Sequence, residues 1–133
     1  MEPDETKTEQ KELTMGEQLR KLLVNFDGAP TAATIDSFKA TYGDIFLSAL
    51  NDDELFIFRA LNRKEHRSFT TSIAEGKLPA EALEEEVVKL CILWKSIKDL
   101  DSKAGTVPSL FEQVMQNSNF LAPQLLGNLV TKL

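Results

Sequence analysis

Leu55, Phe56, Ile57 and Phe58 are four consecutive large apolar residues set between Glu54 and Arg59. The run is short and ends at turn-forming residues on its N-terminal side, so it reads as a strand. Successive strand residues point to opposite faces, which leaves both faces of this strand apolar. Neither face can meet water without cost, so the rest of the chain must cover it twice. Immediately after it, Asn62-Arg63-Lys64-Glu65 carries the capping-box spacing that opens a helix, with Asn as cap and Glu three residues on.

The preceding segment supplies a pairing partner. Ile45, Leu47 and Ala49 alternate with Phe46 and Ser48, and Asn51-Asp52-Asp53 has the Asx chemistry of a tight turn. Asp44 to Ala60 is therefore predicted to be one β-hairpin. A two-stranded hairpin alone is marginal in water, so it must pack on helices or pair with strands from another chain.

Helices are predicted on both sides of it. Thr14-Met15-Gly16-Glu17 is a capping box, and Met15, Leu19, Leu22, Leu23 and Phe26 follow on one stripe until Asp27-Gly28 and Pro30. A shorter helix spans about Thr31 to Tyr42, with Gly43 placed just past its end. The helix opened by Asn62 turns Phe69 and Ile73 inward and frays at Glu75-Gly76-Lys77. The strongest pattern runs from Pro79 to about Ile97: Glu84, Glu85 and Glu86 precede Lys89, Lys95 and Lys98, as the helix dipole favours. Its apolar residues Val87, Val88, Leu90, Cys91, Ile92, Leu93 and Trp94 cover more than one face, so it is expected at the centre. After a loop over Asp99 to Val107, Pro108 starts a helix carrying Leu110, Phe111, Val114 and Met115, which Asn117-Ser118-Asn119 breaks. A last helix is predicted after Pro123, with Leu125, Leu126, Leu129 and Val130 as its stripe.

The expected fold is thus α+β and α-rich: one β-hairpin, about residues 44–60, packed on five to six helices. Residues 14–133 form a single domain behind an acidic tail, Met1 to Leu13, which offers nothing to bury and is expected to be flexible. A chain of 133 residues can build a core without staples. Its formal charge of −6 argues against a nucleic-acid binder, and no apolar run is long enough for a membrane span. One cysteine and one histidine are too few for a structural zinc site, and one cysteine makes no internal disulfide.

Three constellations bear on chemistry. Arg59, Arg63, Lys64, His66 and Arg67 are the densest basic cluster and lie at a helix start, where backbone N–H groups favour anions. No glycine-rich loop accompanies them, so a solvated face is favoured over a phosphate site. Cys91 sits in the most apolar helix and reads as a small buried hydrophobe rather than a nucleophile. Glu84-Glu85-Glu86 and Asp52-Asp53-Glu54 do not converge on one point and lack the alternating ligands of a calcium loop. No catalytic residue, metal ligand or cofactor site is predicted. What remains is surplus apolar surface, and the expected partner-binding residues are Phe46, Phe56, Phe58, Phe120 and Leu121 together with Arg59, Arg63, Lys64 and Arg67.

Four blocks in order carry a family resemblance: Tyr42-Gly43-Asp44-Ile45-Phe46, then Asp53 to Glu65, then Glu85 to Trp94, then Lys103 to Met115. Together they resemble small proteins encoded in the tail modules of contractile-tailed bacteriophages, described as tail-assembly chaperones or as minor tail and baseplate components. The family pattern has proline where this chain has Ala60 and Lys95, and an aromatic near His66; none of these is a catalytic position. The resemblance implies no enzymatic activity and no cofactor, and leaves open whether the protein stays in the particle; the expected role is a structural virion component, present in the host cytoplasm during assembly. Its expected partners are other phage proteins such as tape-measure, tail or baseplate subunits, with several copies in one assembly. Two alternatives stand beside it: a chaperone absent from the mature particle, and an intracellular adaptor that binds an acidic segment through Arg59 to Arg67.

Overall fold

The structure, a computed structural model, describes residues 14–120 and 130–133. In chain order the elements are α1 (Met15–Val24), α2 (Ala32–Tyr42), β1 (Ile45–Asn51), β2 (Glu54–Arg59), α3 (Arg63–Ala74), a 3-10 turn (Ala80–Ala82), α4 (Leu83–Cys91), β3 (Ile92–Lys95), α5 (Thr106–Asn117) and β4 (Val130–Lys132). The acidic tail Met1 to Leu13, Leu121 and the helix expected after Pro123 lie outside the described residues, save Val130.

The expected lone hairpin is corrected to a four-stranded antiparallel sheet in the order β3-β2-β1-β4. β1 and β2 are its central strands, turned at Asn51, whose Oδ1 accepts the Asp53 N–H at 2.8 Å. Their pairing sets Phe46 against Phe58 and Leu47 against Ile57. The partners that the hairpin needs come from this chain's own β3 and β4, not from another chain.

Both outer strands sit where helix was expected. The long helix from Pro79 to Ile97 is instead α4, which starts at Leu83 and stops at Cys91. Ile92 turns to extended backbone (φ −69°, ψ 126°) and continues directly into β3. A run such as Ile92-Leu93-Trp94 fits either period; the open edge of β2 decides it, because pairing there satisfies backbone groups that a solvent-facing edge leaves bare. Ser96 extends the join, its N–H reaching the Leu55 carbonyl at 2.9 Å and its hydroxyl bridging Asp53 and Leu55. Val130, assigned to a helix stripe by spacing, pairs instead with Ser48 in β4.

Helices cover both sheet faces, as the two-faced strand requires. On one side Ile45, Leu47, Ala49, Leu55 and Ile57 pack on Leu19 and Leu23 of α1, with Phe26, Ile35 and Phe38 closing the layer. On the other, Phe46 and Phe58 meet Val87 and Cys91 of α4 and Val114 of α5, while Phe56 meets Val88 and Leu110. The sheet is the middle of three layers, so it is the sheet rather than α4 that occupies the centre.

Local signals hold where they are short-range. Thr14 and Glu17 form the capping box of α1, and Asn62 with Glu65 that of α3. Gly43 ends α2 at φ 82°, a conformation open to glycine without a Cβ penalty. α5 begins at Thr106, two residues ahead of Pro108, whose missing N–H falls in the first turn where no intrahelical partner exists.

Candidate functional site

The partner-binding residues named from the sequence divide into buried and exposed sets. Phe56 and Phe58 are 0% exposed, and Phe46 is buried with its ring stacked on Phe58 at 5.5 Å. These three rings are core, held between the sheet and α4/α5, and present no surface to a partner. Phe120 is 39% exposed and rests against the His66 ring at 4.9 Å. Leu121 is among the residues not described.

The basic cluster also divides. Arg59 leaves the end of β2 and makes two 2.8 Å bonds to the Glu65 carboxylate, with its guanidinium 5.3 Å from the Tyr42 ring centroid. Glu65 at the same time accepts the Asn62 N–H at 3.1 Å. The anion at the start of α3 is therefore the chain's own carboxylate, and the helix terminus is already served. The Arg59 hydrogen bonds hold the Glu65 carboxyl below its ordinary value against the opposing effect of burial, with the Asn62 N–H adding to them. The same pair raises Arg59 further above its ordinary value.

Arg63, Lys64 and Arg67 are exposed and enter no ion pair among the described residues. Arg67 lies four positions after Arg63 and three after Lys64, which puts it beside both on α3. Tyr42, half-exposed beside Arg59, was not among the partner-binding residues named from the sequence; with Thr41, Asp44 and Asn62 it lines a shallow cleft of about 430 Å³. Its position against Arg59 depends on α2 ending beside β2, which no local pattern announces.

Cys91 and Glu54, two groups able to do covalent or acid-base chemistry, are buried, and the second is paired. Cys91 is fully buried, and burial pushes its thiol up to about 11, so at neutral pH it carries no thiolate to attack with. Glu54, also buried, pairs with Lys103 at 2.8 Å, which lowers its carboxyl. Gln113 of α5 is buried and accepts from the Ser48 hydroxyl in the middle of the sheet, a polar contact between layers that sequence reasoning missed. Among the described residues no group of three His, Cys, Asp or Glu could hold a metal ion, and no helix is long and apolar enough to cross a membrane.

Exposed apolar side chains are concentrated on the helices. Val24 at the end of α1 is 78% exposed, and Met15, Tyr42 and Leu90 are also among the exposed large hydrophobics. Val24 adjoins an open groove between α1 and α2 lined by Leu23, Phe26, Ala29, Pro30 and Ile35. Both sheet edges are blunted: β3 is four residues long, bears Lys95 and carries a register shift, while the Lys132 carbonyl of β4 receives Arg20 at 2.7 Å. No family model, curated protein or solved structure matches this chain.

Proposed function

We propose that this chain is a non-enzymatic structural protein of a contractile-tailed phage particle, acting through protein–protein contacts in tail or baseplate assembly. The observation that carries the reading is the order of the four sequence blocks from Tyr42 to Met115. The first block supplies the start of β1, the second β2 and the start of α3, the third most of α4 and β3, and the fourth most of α5. Residues from all four meet in the core under one sheet face, Phe46 and Phe58 against Val87, Cys91 and Val114, which is what a shared fold would keep together. The reading is also in keeping with Cys91, whose thiol is buried and unreactive.

Under this proposal the contact surface is on the helices and the turn that follows α5, not on the hairpin. Val24 with the α1–α2 groove, Tyr42 and Phe120 supply exposed apolar side chains. Purified particles digested and read by quantitative mass spectrometry should contain this chain in stoichiometric amount with tail or baseplate subunits. Its absence from particles, with recovery on tail proteins from infected cells, would move it to the chaperone role.

A second reading rests on Arg63, Lys64 and Arg67, three exposed cations without an ion pair among the described residues. They suit an intracellular adaptor that captures an acidic protein segment. Replacing all three by alanine should abolish that capture while leaving the fold intact, and an unchanged interaction refutes it.

A further inference from the structure

Helix α3 is a peripheral element of this fold, as α2 is. None of its residues is buried; it is fastened at its start by the Asn62 cap and the Arg59–Glu65 pair, and farther along by Phe69, which packs against the core around Phe58. Its outward side carries Arg63, Lys64 and Arg67 with no acidic partner among the described residues. That is an uncompensated +3 on a chain whose formal charge is −6.

The opposite charge is present in the same chain. Met1 to Leu13 holds five carboxylates, Glu2, Asp4, Glu5, Glu9 and Glu12, and two lysines, Lys7 and Lys11, so its side chains sum to −3. Thirteen residues reach up to about 45 Å when extended. A domain of this size is about 35 Å across and about 55 Å from pole to pole over its surface, so most of that surface lies within reach. Tethering places such a segment at an effective concentration on the order of millimolar, enough for a contact too weak to survive between separate molecules.

We infer that the acidic segment Met1–Leu13 docks on the exposed basic side of α3, over Arg63, Lys64 and Arg67 of its own chain. The contact is electrostatic and has no apolar anchor, so salt dissolves it and an acidic partner can displace it. It shields the basic side of α3 from indiscriminate acidic partners until one competes successfully.

A nitroxide attached at Thr8→Cys tests this in the full chain, because buried Cys91 stays unlabelled in the folded protein. At low salt the amide signals of Arg63 to Arg67 should lose about half their intensity or more, and should recover at about 0.5 M salt, where screening acts within a few ångströms. The charge-reversed variant R63E/K64E/R67E should abolish the loss while its remaining amide spectrum shows the same fold. Losses centred elsewhere, absent altogether, or unchanged in the charge-reversed variant overturn the inference. Mixing isotope-labelled chains without nitroxide and unlabelled chains with it separates docking within a chain from docking between chains; a loss of equal size in the mixture also overturns it.

Discussion

Truncating Phe56 to alanine tests whether the aromatic strand is core or contact surface. The ring is 0% exposed and packs between the sheet and the α4/α5 layer, against Val88 and Leu110. A phenyl ring buries on the order of 150 Å², which at about 25 cal/mol per Å² is about 4 kcal/mol before any cavity is counted. Buried Phe→Ala replacements cost about 3–5 kcal/mol, so the area figure and the mutational range agree. Domains of this kind hold only about 5–15 kcal/mol in total, so the variant should lose a large share of its stability and melt roughly 15 °C lower. Urea unfolding followed through Trp94, the single tryptophan and an edge-on neighbour of Phe26 at 6.1 Å, gives the difference directly. Phe120→Ala, at a ring 39% exposed, is the matched control and should cost under about 1 kcal/mol. A Phe56→Ala cost as small as that of Phe120→Ala would refute the packing argument and return the strand to the surface.

Glu65→Gln keeps a side chain able to cap Asn62 but removes the charge facing Arg59, and should cost about 1–2 kcal/mol at neutral pH. Because the folded-state carboxyl is lowered, that contribution is complete above its unfolded value near 4.3 and is lost as pH falls through the folded value. Urea midpoints for the two proteins should therefore converge under acid and stay apart from about pH 5 upward. Cys91 should resist iodoacetamide in the native protein at pH 8 and react once urea unfolds it; labelling of the folded chain would contradict its burial. A Cβ added at Gly16 would stand 2.6 Å from Thr131 Oγ1, so Gly16→Ala should destabilise by about 1–2 kcal/mol, and Thr131→Ala should restore part of that. Additive costs in that pair, measured by urea unfolding, would mean that α1 and β4 do not meet there.

The hairpin and both helix starts were readable because their signals are local. Asn51 turns the chain on itself within two residues, and Thr14 with Glu17 or Asn62 with Glu65 close their caps within three. β3 and β4 were not readable, because what makes them strands is a vacancy on β2 or β1 far away in sequence. Nothing within Ile92-Leu93-Trp94-Lys95 distinguishes a fourth helical turn from an edge strand. The basic cluster was visible as composition, but its division was not: Arg59 is removed from it by Glu65, and only the fold shows which cations stay free for a partner. Likewise the surplus of apolar surface was plain, while the second cover over Phe56 and Phe58 depends on α4 and α5 packing together.

The two outer strands join the sheet at very different cost in chain closure. β3 follows α4 without an intervening loop, so it is delivered to β2 by the same helix that covers Phe58. β4 must be brought back to β1 and fixed there by contacts such as Arg20 to Lys132, 112 positions apart. Long-range closures of this kind form late and open early, since their entropy must be met before any contact rewards it. By sequence separation the β3 margin is therefore expected to set before the β4 margin, which also meets α1.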